Sequence, residues 1–201
     1  MPHPDEIPGR ALEIVADQIG RLLPRLLGTP TPSRPEFTIT DSLSVWKLSS
    51  DRIGDSSDVL LRLAVATERW HHQIEVEGRP EVFARSAPDP DHDPTSWRVR
   101  EVTRSPVVAK LDAAIDRINA EVPEDELVRL LEAPAYALRA LWLIGSQDQS
   151  RVLVVDAANR LGDLFEMGLQ SESEFLDQLG RVTPVVGIEL EDEGRPQTPD
   201  T

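Results

Sequence analysis

The amino-acid sequence predicts an α+β fold: an antiparallel β-sheet with amphipathic helices packed on it, in the order helix, strands, helix, two strands, helix. Three observations carry this. Apolar residues recur at steps of three and four over 11–27 and again over 106–122, which is helical spacing. From Phe37 to Val102 they recur at every second position instead, the period of a strand. The two patterns are also segregated along the chain, which argues against the interleaved elements of a parallel sheet.

Residues 1–8 carry three prolines and read as a loose start. In the first helix, Leu12, Val15, Ile19, Leu22, Leu23 and Leu26 share a face, and Pro24 should kink or end it. Gly28 and the proline-rich stretch to Pro35 then form a stiff polar connector. Phe37 to Leu48 makes a strand or strand pair, residues 51–58 a loop, and Val59 to Ala66 a further strand with Leu61, Leu63 and Val65 on one face. The clearest alternation sets Trp70, His72, Ile74 and Val76 against His71, Gln73, Glu75 and Glu77. One face is apolar and the other polar, so a half-buried strand is expected, with His72 in the core and His71 on the surface. Gly78-Arg79-Pro80 turns the chain into Val82-Phe83-Ala84, and Trp97 to Val102 supplies another strand.

Ser105-Pro106 opens the best helix: the serine can accept from free amides of the first turn, and proline at the first helical position sacrifices no bond. Val108, Leu111, Ile115, Ile118 and Val122 form its apolar stripe. Pro123-Glu124-Asp125-Glu126 reads as the start of a short helix ending before Pro134. Tyr136–Ile144 is compatible with helix or strand. The turn-like Gly145-Ser146-Gln147-Asp148 and the run Val152-Leu153-Val154-Val155 favour two strands joined as a hairpin. Ser171 and Glu174 have capping-box spacing for a helix to Gly180. The organisation is therefore 1–35, an N-terminal helix and proline-rich linker; 36–188, a single α+β domain; and 189–201, an acidic disordered tail.

The chain has 201 residues with 36 acids against 21 bases, a formal net charge of −15. Residues 1–36, 37–104, 105–188 and 189–201 each carry net negative charge, so no segment is basic and a nucleic-acid backbone would be repelled over most of the surface. No uncharged apolar run approaches the roughly 20 residues of a membrane span. The opening residues lack the basic start and apolar core of a secretory signal. These features point to a cytoplasmic protein with no nucleic-acid or membrane partner. Only Lys47 and Lys110 are lysines, an arginine bias of the kind GC-rich bacterial genomes produce. The absence of cysteine excludes disulfides, thiol nucleophiles and thiolate-bound metals.

Catalytic motifs with a mechanical reason for their spacing are missing: no phosphate-cradling Gly-Lys-Ser/Thr, no dinucleotide glycine turn, no nucleophile elbow and no His-Glu-x-x-His. No cofactor or metal is assigned and no catalytic residue is singled out. Two constellations remain as raw material. His71 and His72 are adjacent, but neighbours on a strand point to opposite faces and do not readily share an ion. Asp89, Asp91 and Asp93 alternate as the start of a calcium loop does, yet Pro94 stands where the glycine should be and Arg100 where the closing glutamate should be. Arg98, Arg100 and Arg104 are placed for cross-strand ion pairs, and the four tryptophans for the core.

The expectation is a non-catalytic interaction or adaptor protein, accessory or chaperone-like, with an acidic surface, a protein partner and possible self-association. The same broad element order occurs in bacterial secretion chaperones, a fold-level analogy without a shared motif. Helix 11–27 suits a docking element and equally a cap on its own sheet. The first alternative is a small-molecule or metal-dependent enzyme using His71 and the Asp89–Asp93 loop. The second is a polyanion mimic, which requires carboxylates gathered on one face.

Overall fold

A computed structural model describes residues 2–8, 10–28, 35–50, 53, 59–91, 96–122, 125–145, 150–158, 161 and 168–184. Its strands are β1 (His3–Pro4), β2 (Phe37–Leu48), β3 (Ala64–Val76), β4 (Arg79–Pro88), β5 (Trp97–Arg104), β6 (Leu127–Ala133), β7 (Leu138–Ile144), β8 (Ser150–Ala157) and β9 (Leu169–Ser171). Its helices are α1 (Ala11–Leu27), α2 (Leu60–Leu63), α3 (Pro106–Glu121) and α4 (Glu172–Gly180), with a 3₁₀ turn at Pro134–Tyr136. All the strands form one sheet in the order β5-β4-β3-β2-β6-β7-β8-β9, and β1 pairs with β6.

The fold is α+β, but the sheet is mixed and not purely antiparallel. β2 and β6 run parallel in register Val45↔Leu130 to Lys47↔Glu132, and β1 joins β6 in parallel as well. The parallel join follows from chain order: α3 carries the chain from β5 at one edge back to the middle of the sheet. The segment expected to be a short helix after Pro123 is instead β6. Its residues have helical propensity, but at the sheet centre Val128, Leu130, Leu131 and Ala133 are all buried, and tertiary burial overrides propensity. The stretch from Phe37 is one continuous strand whose pairing with β3 contains two irregularities. Leu60–Leu63 is a helical turn before β3, leaving Leu61 and Val65 about half exposed and Leu63 buried.

Both faces of the sheet are covered. On one, α1 lays Val15, Ile19 and Leu23 over Trp70, Ile74, Val82, Ala84, Trp97 and Val99. Further along that face, Phe175 and Leu179 of α4 pack with Leu131, Trp142 and Val152. The opposite face is covered by α3, whose Leu111, Ile115 and Ile118 meet Leu43, Val45, Leu130, Leu141 and Leu153. Helix α1 thus caps its own sheet. It also runs on past Pro24 to Leu27 and ends at Gly28 in the left-handed conformation, φ 66°. The proline's ring would press on the carbonyl of residue 20, which belongs to a glycine tucked against the Phe37 ring.

Helix α3 starts as its sequence dictates, with the Ser105 hydroxyl accepting from Val107 N–H and Pro106 in the first turn. Helix α4 carries the complete Ser171–Glu174 capping box. The Tyr136–Ile144 segment resolves into the 3₁₀ turn and β7. Residues 146–149 and 185–201, and with them the expected turn and acidic tail, lie outside the described residues, as do 29–34 of the connector. Among the described residues no helix is long and apolar enough to cross a membrane.

Candidate functional site

The alternation of β3 sends His71 and His72 to opposite faces, as strand geometry requires. His72 lies under α1 and is fully buried. Its Nδ1 is 2.8 Å from the Ser42 hydroxyl on β2, and its Nε2 is 2.7 Å from the Ser86 hydroxyl on β4. The three side chains form a rung across three strands, with both imidazole nitrogens satisfied by neutral groups. Burial holds its pKa down at about 4, so the ring is neutral at physiological pH.

His71 is not the surface residue that alternation alone predicts. It is 4% exposed, because α3 covers the polar face of β3 as α1 covers the apolar one. Its ring stacks on Phe83 with centroids 4.8 Å apart, and neither nitrogen has a hydrogen-bond partner. Burial first, and the Arg85 guanidinium second, push its pKa down to about 3. Gln73, also buried, donates to the carbonyl of Val108 on α3 at 3.1 Å. Beside His71 an ion network closes the same face: Glu132 receives Arg85 at 2.5 Å and Arg139 at 3.2 Å, and Glu101 lies 3.7 Å from Arg85. A base this strongly depressed takes up no proton near neutral pH.

The Asp89 loop lies elsewhere. His71 pairs with Arg85 in the β3–β4 register, and Asp89 is four residues further along, about 13 Å at the rise of an extended strand. Asp89 is turned inward, 8% exposed, with Arg100 at 3.6 Å, whereas Asp91 is exposed. His92 and Asp93 are outside the described residues. Among the described residues no three His, Asp or Glu side chains are grouped to hold a metal ion. Of the three arginines on β5, Arg100 meets Asp89 and Arg104 meets Glu81 at 3.6 Å, with the strand's alternation broken by an irregularity between Val99 and Glu101. The tryptophans are core residues: Trp70, Trp97 and Trp142 are buried, and Trp46 meets Trp142 edge to face at 5.6 Å.

Carboxylates do gather at one place. Asp41 on β2 and Asp112 on α3 both have raised pKa values, chiefly from burial, with Asp116 adding repulsion at both and Glu75 at Asp112. A second acidic position is neutralised locally. Asp5 accepts from the Ser44 hydroxyl and receives Arg129 at 3.0 Å, while Arg129 stacks over Trp46 at 4.2 Å.

A concavity opens at the sheet edge. Strand β5 ends the strand order, and among the described residues it pairs with β4 alone. Gln18 of α1 reaches over this edge: its Nε2 donates to the carbonyl of Trp97 at 2.7 Å, and its Oε1 accepts from the amide of Val99 at 2.8 Å. One side-chain amide thereby makes the two bonds that a neighbouring strand's backbone would make at residue 98. Past that latch a groove of about 530 Å³ opens between α1 and β5. Leu22, Arg25 and Leu26 form its helix wall, and Val99, Arg100, Glu101 and Val102 its strand wall. Leu22 is 42% exposed, the most exposed large apolar residue of α1.

Sequence reasoning places α1 as a docking element or a cap but misses Gln18. The available signal is slight: a glutamine beside the stripe residues Val15, Ile19 and Leu22, on the border of the buried face. No family model, no curated protein and no solved structure matches the chain.

Proposed function

We propose that the protein is a non-catalytic interaction module, an adaptor or chaperone-like accessory, that receives a protein partner at the α1–β5 edge. The observation that carries this reading is the groove beyond the Gln18 latch, where strand backbone, exposed leucine and arginine lie together. The histidines support it from the other side, since both are used as core pieces. The acidic surface keeps such a module soluble and selects against polyanionic partners.

Selection of random twelve-residue peptides displayed on phage against the purified chain tests the reading. Enriched peptides are expected, with binding lost in Leu22→Glu and retained in His71→Gln. An absence of enriched peptides, or loss of binding in His71→Gln with Leu22→Glu unaffected, would overturn it.

A further inference from the structure

Resting on that reading, we infer that the occupant of the α1–β5 groove is an extended peptide with alternating apolar and acidic side chains, added to β5 as a further strand. The edge geometry argues for a strand. The Gln18 amide bonds Trp97 O and Val99 N from outside the sheet, so the outward backbone groups of β5 accept a peptide-like amide in place. A second chain continuing that pairing past Val99 would lie along the groove, its backbone satisfied by the edge and alternate side chains directed to the helix wall.

The walls then specify the side chains. Leu22 and Leu26 on one wall, with Val99 and Val102 on the other, give an apolar floor for every second residue. The residues between face away from the helix, toward Arg100, held only loosely at 3.6 Å from Asp89, while Arg25, exposed in the last turn of α1, adds a second cation on the helix wall. The one acid in the lining, Glu101, faces Arg85. Cations therefore exceed acids in this groove of a chain whose net charge is −15. A basic peptide would be attracted to the rest of the surface; an acidic one finds its complement here.

The test measures anisotropy of a fluorescein-labelled octapeptide of alternating valine and glutamate, titrated with the full chain. Saturable binding is expected, at least tenfold weaker in Arg25→Glu/Arg100→Glu and weakening as salt is raised. A lysine-for-glutamate peptide should bind at least tenfold more weakly. Two further peptides, N-methylated at alternate amides in the two possible registers, separate strand addition from side-chain contact. One register should lose binding and the other keep it, because only one edge of an added strand faces β5. Equal binding of both registers, or preference for the lysine peptide, would overturn the inference while leaving the interaction reading intact. Failure of these peptides together with the phage selection would sink both. Concentration-dependent dimerisation in sedimentation, abolished by Arg25→Glu/Arg100→Glu, would show a second copy as the occupant and overturn the inference. Peptide binding that is absent in the full chain and appears after truncation at Pro184, lost again in the double variant, would do the same in favour of the chain's own C-terminal segment. Thermal melts of the variants check that they fold.

Discussion

The two edges of the sheet are built differently. At one, β9 is three residues long and passes directly into α4, whose capping box closes the end of the strand. A short edge that turns at once into a helix offers little template for another chain. At the other, β5 has eight residues, and its outer side is latched at one point by a glutamine side chain. The first edge strand is short and pairs with β8 only over Arg151–Leu153. Among the described residues the second is long and occupied only in part, and the groove and the arginines lie where the latch ends. A protein avoiding all edge pairing would treat both alike, and the contrast is why β5 is read as the working edge.

The largest expected effect concerns the core under that edge, and it appears on acidification. His71 and His72 have pKa values near 3 and 4 in the folded chain, below the ordinary 6.5 of the unfolded one. For a base depressed in this way the unfolded state binds the proton first. Stability is complete above about pH 6.5 and is lost as pH falls through the window to 4 and then 3. Each site contributes a slope of about 1.4 kcal/mol per pH unit, so several kcal/mol are at stake. The raised values of Asp41 and Asp112 act oppositely, since their folded forms take up protons before the unfolded chain does. Urea unfolding from pH 7.5 to 4.5 should show the loss, and His71→Phe should flatten the slope. An unchanged slope in that variant would mean His71 is not held neutral.

Next in size is the seat of α1. Ile19→Ala removes a fully buried side chain and should cost about 2–5 kcal/mol, read as a lower urea midpoint. If β5 depends on α1 while β9 does not, amide exchange in β5 should accelerate more than in β9. Gln18→Leu sharpens the comparison by removing the latch and leaving the helix. Two backbone groups of β5 lose their partners, at about 1–3 kcal/mol, and the Val99 amide should exchange faster than in the parent. The smallest effect is expected at the opposite edge. Ser171→Ala removes one cap bond, about 1 kcal/mol by thermal unfolding, and should leave β5 exchange unchanged.

Much of this fold is local and legible in sequence. The Ser105-Pro106 start of α3, its stripe and the Ser171–Glu174 box follow from residues within one element, and the strand character of Leu138–Ile144 from the neighbouring turn-like residues and the run Val152–Val155. What sequence could not supply depends on contacts between elements. Leu127–Ala133 has the composition of a helix and becomes a strand because it enters the sheet beside β2. His71 reads as exposed because its face of β3 is polar, and it is buried because α3, more than thirty residues later, crosses that face: Gln73 bonds Val108 there. The candidate groove is half legible: the helix reads as a docking element or a cap, but its relation to β5 arises from Gln18 meeting a strand about eighty residues away. The Asp89–Asp93 constellation illustrates the reverse, a pattern suggestive in sequence whose first two members point to different surroundings.

Backbone amide exchange, followed residue by residue with and without the valine–glutamate peptide, tests the central claim most directly. The account predicts added protection in β5 over residues 100–104, none in β9, and none around His71 and His72. Protection at β9 or at the histidines, with β5 unchanged, would contradict it.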